Sequence, residues 1–458
     1  MSKAYDVLVI GSGTAGQAAA YALNNSGLNV GMVEHSDRPG GTCALSGCQA
    51  KKWFYEGAEI IARSRHLEGI GITSPAIASW PQLREAKNRF TERVPDATVE
   101  GLKKAGIEFI RGRARFVDQQ TIAVDAQQIS ARFIVLATGA TPMPLPIDGI
   151  DLAADSGAFL ELDDLPSRIV FIGGGFISFE FAHFAVRLGP DDTRCIILEA
   201  GPRPLGPFDE EMVHLLTKAS AAEGIETHCN VTITRIEKTG RTFAVATQDG
   251  RRFEADLLVH GAGRVPDIDD LDLARAGVEY SRRGIAVDGQ MATTNPSIYA
   301  VGDCAATIQL ARVGDAEAHV AAATIASRHH SGRSKASMDY RVVPAVLFTY
   351  PQYAMVGKTE QALKKEAVVY EKSFAEELSW PTYKRVGMRS AAYKLLVDKN
   401  GQILGAHVLS DNATGLINTF TLAMVNRIAV GDLYRQSVMT PYPSRESDIV
   451  YMLKPLLS

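Results

Sequence analysis

A strand, a glycine turn, a helix and a second strand follow one another twice in this chain, and no other feature restricts its fold as tightly. Asp6–Ile10 (DVLVI) is a short apolar run that breaks into GSGTAGQAAAYAL and is followed by a second run, Asn29–Glu34 (NVGMVE). The same order returns at Arg168–Ile172 (RIVFI), then GGGFISFEFAHFAVRLG, then Cys195–Glu199 (CIILE). Short apolar runs bounded by glycine read as buried strands, and the helix between them is the crossover that parallel strands require. Two separated copies predict an α/β chain with two doubly wound, Rossmann-like dinucleotide-binding domains.

The remaining chain arranges itself around these copies. Helices are expected from Gln49 to Arg65 and from Pro81 to Ala105, with a closing strand at Phe133–Gly139 (FIVLATG) and its counterpart at Asp256–Gly263 (DLLVHGAG). After Gly284 the stretch IAVDGQMATTNPSIYAVGDCA looks like a return to the first domain. Beyond Ser337, alternating runs such as Ala392–Val397 and Ile403–Val408, with a helix over Ala413–Asn426, predict a C-terminal α+β domain behind the linker SGRSKAS. The expected division is 1–150 and 280–335 for the first dinucleotide domain, 151–279 for an inserted second one, and 336–458 for the last. A length of 458 residues suits about three domains.

In the first copy Gly11-x-Gly13-x-x-Gly16 sits between a strand and a helix. The first glycine permits the tight turn, the second lets the backbone approach a pyrophosphate, and the third lets helix and strand pack closely. The helix N-terminus supplies N–H groups and a positive dipole to the phosphate. Glu34 ends the next strand, where a carboxylate grips ribose hydroxyls. The second copy carries Gly173-Gly174-Gly175 with Ser178 in place of the third glycine, so slightly looser helix–strand packing is expected there. Glu199 would accept from a free 2′-hydroxyl and repel a 2′-phosphate, favouring NADH; NADPH is the alternative if Arg203 reaches that phosphate.

Composition removes several functions. A net charge of −4 with no basic block gives no support for nucleic-acid binding. No apolar run reaches the ~18 residues of a membrane span, and MSKAYDVLVIGSGTAG lacks the n-region and cleavage site of a signal peptide. Five cysteines are too few to staple a secreted chain of this length. A cytoplasmic protein without membrane or nucleic-acid partners is expected.

Cys43 and Cys48 stand in GGTCALSGCQAKK. A zinc site would need two further ligands, and only His35 and His66 lie nearby, neither at a recognised spacing; no metal is expected. A cysteine near a helix N-terminus, with lysines and a glycine-rich backbone around it, has its thiolate favoured, and thiolates exchange disulfides through mixed disulfides. Two dinucleotide sites beside such a pair suggest an electron relay. Cys195 and Cys229 read as core residues at strand starts, Cys304 as a small packing residue, and His329–His330 as a solvated helix end.

GSGTAG with Glu34, GGTC-x4-C, ATGATP (Ala137–Pro142), GGGFISFE, GAGRVP (Gly261–Pro266), YAVGD (Tyr299–Asp303) and VPAVLFTYPQYAMVGKTE (Val343–Glu360) occur in this order. Together they resemble the class I flavoprotein pyridine nucleotide–disulfide oxidoreductases, which include dihydrolipoamide dehydrogenase, glutathione reductase and mercuric reductase. The resemblance implies an FAD domain interrupted by an NAD(P) domain, followed by the dimerisation domain of a homodimer. It implies that Cys48 lies against the flavin and Cys43 is the outer thiol that attacks a small-molecule or protein-bound disulfide, as in dihydrolipoamide dehydrogenase. Lys52 and Glu180 take the positions of a pair beside flavin N5, Phe176 that of an aromatic gate over the nicotinamide, and Asp303 that of an acceptor for the ribityl chain. Gly41, Thr42, Thr138, Gly139, Gly263 and Gly302, in the same motifs, are assigned with them to the cofactor sites.

The resemblance fails at one place. The family's disulfide reductases carry His and Glu in H-P-T-x-x-E near the C-terminus, whereas this chain reads Thr440-Pro-Tyr-Pro-Ser-Arg-Glu-Ser447. Tyr442 replaces the histidine, and Glu446 lies one residue before the glutamate position. Tyrosine, with an ordinary pKa of ~10, is a poor base but an adequate donor. A non-disulfide acceptor (a mercuric or cupric ion, a quinone or a reactive oxidant) is therefore the alternative reading. A third is a redox subunit of a larger complex, with Ser379–Arg385 (SWPTYKR) docking a protein partner or forming an exposed loop.

Overall fold

A computed structural model describes residues 3–457. They form two compact units, the first comprising residues up to Lys52, Glu85–Pro144 and Arg264–Asp339, the second Trp53–Arg84, Leu145–Gly263 and the chain from Tyr340.

In the first unit the strands Glu108–Arg111, Val30–Glu34, Lys3–Ile10 and Gln127–Leu136 lie side by side in that order, all parallel. Val7, Leu8 and Val9 are fully buried, as expected of a strand covered on both faces. Gln127–Leu136 is long enough to serve two neighbours. Its first half forms an antiparallel ladder with Thr121–Val124, and its second half takes Ile298–Ala300 in parallel, Ile134 opposite Ile298. The sequence near Tyr299 thus returns to the first sheet. The helices Thr14–Asn25 and Ala311–His329 bury alanines, among them Ala19, Ala20, Ala318 and Ala321, and Gly314 allows the second helix to approach Gly302 and Ala15.

The second unit holds a parallel sheet in the order Ile225–His228, Arg194–Leu198, Arg168–Ile172, Leu257–His260. Against it runs the helix Phe176–Leu188, buried from Ser178 to Leu188. The same unit contains a five-stranded antiparallel sheet, Ala345–Leu347, Gln352–Gly357, Ile403–Ser410, Ala392–Val397 and Glu371–Ala375 in that order. The helix Ala413–Val425 buries Leu416, Ile417 and Phe420 within that unit's core.

Several expectations need correction. The helix predicted over Pro81–Ala105 is two, Trp80–Thr91 and Val94–Lys104, because Pro95 belongs in a first turn and not in a helix interior. Ser178 does not loosen its packing: its hydroxyl donates to the Gly173 carbonyl at 2.5 Å, and Gly261 opposite has no side chain to obstruct it. Cys229 follows a strand instead of opening one. Ser379–Arg385 is an exposed loop only in part: Pro381–Lys384 form one short helical turn, and Ser379, Pro381, Lys384 and Arg385 are exposed. Thr382 and Tyr383 are buried, and the Trp380 ring lies against Tyr383, Tyr393 and Tyr451.

Candidate active site

Ligands of open α/β sheets bind beyond the carboxyl ends of the strands. In the first unit those ends deliver Gly11 after Lys3–Ile10, Glu34 at the end of Val30–Glu34, Thr138 and Gly139 after Gln127–Leu136, and Gly302 and Asp303 after Ile298–Ala300. Four strands far apart in sequence thus bring the predicted residues to one edge.

Gly11 has φ +106°, and a β-carbon there would lie 2.3 Å from the Ala137 carbonyl oxygen. A β-carbon on Gly16 would meet the Gly11 oxygen at 2.0 Å, so the third glycine does bring helix and turn together. Gly13 faces Gly41, whose own β-carbon would stand 2.4 Å from the Gly13 α-carbon. Two bare backbones and the N-terminus of Thr14–Asn25 make a cradle suited to a pyrophosphate. Glu34, buried, accepts at Oε2 from the Ser12 amide at 2.9 Å and hydroxyl at 2.7 Å, and at Oε1 from the Ser36 amide at 2.8 Å. A carboxylate has about four acceptor sites, so one remains for a ribose hydroxyl. The Ser12 hydroxyl also accepts from the Gly40 amide at 3.0 Å, which ties the nucleotide turn to the segment leading into the cysteines. Burial pushes the Asp303 carboxyl up, and Arg264 partly offsets it. These residues fit FAD.

Cys43 lies in the short helix Gly41–Leu45, with Thr42 exposed before it, and Cys48 opens the 19-residue helix Cys48–His66. The thiols hydrogen-bond to each other, and that bond is the main reason the Cys43 thiol is pushed up; burial and the carboxylate of Asp315 act in the same direction, while a hydrogen bond with Thr14 opposes them. Cys43 therefore holds its proton more tightly than a free cysteine, and Cys48 lies at the N-terminus of its helix. Lys52 is one turn beyond Cys48, on the same face. Gly47 sits between the cysteines, where a β-carbon would lie 2.8 Å from the Thr42 oxygen and 3.3 Å from the Cys43 α-carbon. Gly47, Thr14 and Asp315 lie at the pair without belonging to the motifs legible in the sequence. Gly47 alone carried a local signal, a glycine between two cysteines that must meet.

In the second unit Gly173 turns with φ +94°, and Gly175 is extended and precedes Phe176, the exposed first residue of its helix. Gly263, φ +112°, follows the strand Leu257–His260. Glu199 accepts from the Gly174 and Gly201 amides, each at 2.6 Å. Glu180 is buried and accepts from the Phe348 amide at 2.9 Å. One turn along, His183 Nδ1 accepts from the Tyr350 amide at 3.3 Å and from Arg187 at 2.8 Å, leaving Nε2–H to donate to the Ser220 hydroxyl at 2.9 Å. Tyr442 is 73% exposed, whereas Glu446 accepts from Asn412 at 2.6 Å. Arg445 between them is buried and paired with Asp411 at 2.6 and 2.9 Å, its guanidinium 3.8 Å from the centre of the Tyr383 ring. The segment is thus fixed at Arg445 and open at Tyr442. Cys195 is fully buried, and the Cys304 thiol donates to the carbonyls of Leu136 and Val301, each at 3.4 Å, as packing residues do.

Residues 5–321 match the pyridine nucleotide-disulphide oxidoreductase family, and residues 343–450 match its dimerisation domain. The chain belongs to that family: it is a flavoprotein disulfide oxidoreductase that binds FAD and a pyridine nucleotide. A mercuric reductase of Staphylococcus aureus is 31% identical over 440 residues, covering 94% of this chain and 78% of that one. A dihydrolipoyl dehydrogenase of Bacillus subtilis (strain 168) is 30% identical, covering 89% and 90%. The copper(II) complex of the HOCl-induced flavoprotein disulfide reductase RclA from Escherichia coli shares the fold, with a TM-score of 0.87 over 100% of both chains at 24% identity. Among the described residues no helix is long and apolar enough to cross a membrane.

Proposed function

We propose that the chain oxidises NADH and reduces a small-molecule or protein-bound disulfide through the Cys43–Cys48 pair, as dihydrolipoamide dehydrogenase does. The observation that carries this reading is the pair itself, two thiols in hydrogen-bond contact beside a glycine cradle for FAD. Bound FAD supplies the conversion of a two-electron hydride donor into a reductant of the disulfide. The Cys43–Cys48 disulfide takes two electrons and two protons to become the dithiol. The Cys43 sulfur then attacks the acceptor disulfide, forms a mixed disulfide and releases one thiol. Cys48 attacks the Cys43 sulfur, releases the second thiol and restores the disulfide. Lys52 and Glu180 hold charge at the flavin, Phe176 shields the nicotinamide, and Glu199 holds the adenosine ribose. Glu446 receives the Cys43 proton through water as that sulfur attacks, and Tyr442 donates a hydrogen bond to the departing sulfur, which takes that proton up as it leaves. The expected bounds 150 and 280 shift, because Leu271, Leu273 and Val278 join the first unit's core: residues 1–144 and 264–335 make the FAD domain, 145–263 the NADH domain and 336–458 the dimerisation domain of a cytoplasmic homodimer.

One observation favours a second reading, reduction of a metal ion or another non-disulfide acceptor. The segment Thr440–Ser447 has no histidine to move the proton of Cys43, and it presents an exposed phenol instead. Lipoamide, glutathione disulfide, mercuric and cupric ions and a quinone, compared under identical NADH turnover, separate the two. A disulfide reductase turns over lipoamide or glutathione disulfide orders of magnitude faster than the rest. A metal or quinone at the head of that series would replace the first reading with the second.

A further inference from the structure

The loop from Glu199 to Asp209 is fastened at both ends, and its fastening determines where Arg203 points. At the near end Glu199 accepts from Gly174 and Gly201, and the Leu205 amide donates to the Gly174 carbonyl at 2.8 Å. Leu205 is buried with φ +51°, a left-handed conformation that a leucine keeps only when its surroundings impose it. At the far end four groups from outside the loop take hold. The Phe208 carbonyl accepts from the Gln361 side chain at 2.9 Å, and the Asp209 amide donates to the Tyr353 hydroxyl at 3.1 Å. The Asp209 carboxylate accepts from the Glu360 amide at 3.0 Å and from Lys394 at 2.6 Å. Lys394 is itself buried and also meets Glu211 at 2.7 Å and Glu360 at 2.9 Å. Within this frame the Arg203 guanidinium donates to the carbonyls of Leu205, Gly206 and Phe208. The only cation in the loop is folded onto the loop's own backbone.

We propose that this loop selects the nucleotide, and that Tyr353, Gln361 and Lys394 lock it in the NADH-selecting form by keeping Arg203 on the loop's carbonyls and unavailable to a 2′-phosphate. The proposal rests on the assignment of Glu199 to the adenosine ribose. The three locking residues lie about 150 or more positions beyond the loop, outside the nucleotide-binding fingerprint, and act by positioning. Loosening the lock frees a guanidinium whose planar donors suit a phosphate.

The test compares kcat/KM for NADPH and NADH, with the KM of each reported separately, on the FAD-loaded protein. The variant Lys394→Met leaves the buried Asp209 carboxylate without its cation, although Lys372 and Lys364 still reach Glu211 and Glu360, and is expected to fold poorly, so the working variant is the double substitution Tyr353→Phe, Gln361→Ala. It raises the NADPH to NADH ratio about tenfold, through KM and not kcat, the size of one charge-assisted hydrogen bond gained. Adding Arg203→Ala cancels the gain, and Arg203→Ala alone leaves the ratio of the unaltered protein where it was. An unchanged ratio in the folded double variant overturns the lock, as does a selective loss of NADPH use on Arg203→Ala alone. The ribose assignment is tested separately by Glu199→Gln: an unaltered KM for both nucleotides refutes that assignment.

Discussion

At the scale of single residues, the cysteine pair depends on a glycine that performs no chemistry. A disulfide needs its sulfurs about 2.05 Å apart and tolerates little backbone movement, and Gly47 is where Thr42 and Cys43 crowd the turn between the two thiols. The dithiol can relax around an added side chain, but the disulfide cannot. Gly47→Val therefore raises the midpoint potential of the pair by roughly 20–60 mV, which corresponds to an overpacking cost of about 1–3 kcal/mol on the oxidised form. Redox titration against glutathione, with alkylation of free thiols, measures it; an unchanged potential would mean the contact is not felt. Buried His407 behaves differently. Its Nε2 lies 3.1 Å from the Lys358 carbonyl, and burial lowers it to about 4, against an ordinary value near 6.5. The native state keeps it neutral while the unfolded chain protonates, so its contribution is complete above pH 6.5 and is lost as the pH falls toward 4. The loss approaches ~3 kcal/mol. Thermal melts between pH 7 and 4.5 should show a shallower decline for His407→Gln, with some slope left from His183, which burial also lowers.

At the scale of elements, what the sequence makes legible is what neighbouring residues decide. DVLVI-GSGTAG and RIVFI-GGGFIS announce strand, turn and helix within fifteen residues, and both carboxylates fall at the strand ends where the spacing puts them. The division of Trp80–Lys104 is also local, written in Pro95. Contacts between distant residues left no such trace. Nothing near Lys394 in sequence indicates that it meets Asp209 and Glu360, and nothing in FISFEFAHFAVRL indicates that Glu180 and His183 hold the backbone at Phe348 and Tyr350. Those two bonds from one helix face hold Glu180, the carboxylate that the proposal places at the flavin, on the Phe348–Tyr350 backbone. His183→Leu removes an acceptor from the Tyr350 amide and from Arg187, at a cost of about 1–3 kcal/mol, and should lower kcat with NADH more than it raises KM. Stopped-flow reduction of the bound flavin reads the effect; an unaltered rate in a folded variant would leave His183 a structural residue only.

At the scale of the whole molecule, the dimerisation domain exposes Leu422, Val425, Val438, Met439 and Tyr442. Large apolar or aromatic side chains exposed there leave area that water does not favour, and a second copy is the partner the family domain implies. Leu422→Glu with Val425→Glu places charges on that surface and should yield a species of half the mass in sedimentation; an unchanged mass would remove the homodimer from the account. The central claim is that electrons from NADH reach Cys43 and Cys48. It is tested by adding one equivalent of NADH anaerobically to the FAD-loaded, oxidised protein and mapping the thiols that become alkylatable. Two new thiols per chain, at Cys43 and Cys48, are predicted; oxidation of the NADH with no new thiol at either position would contradict it.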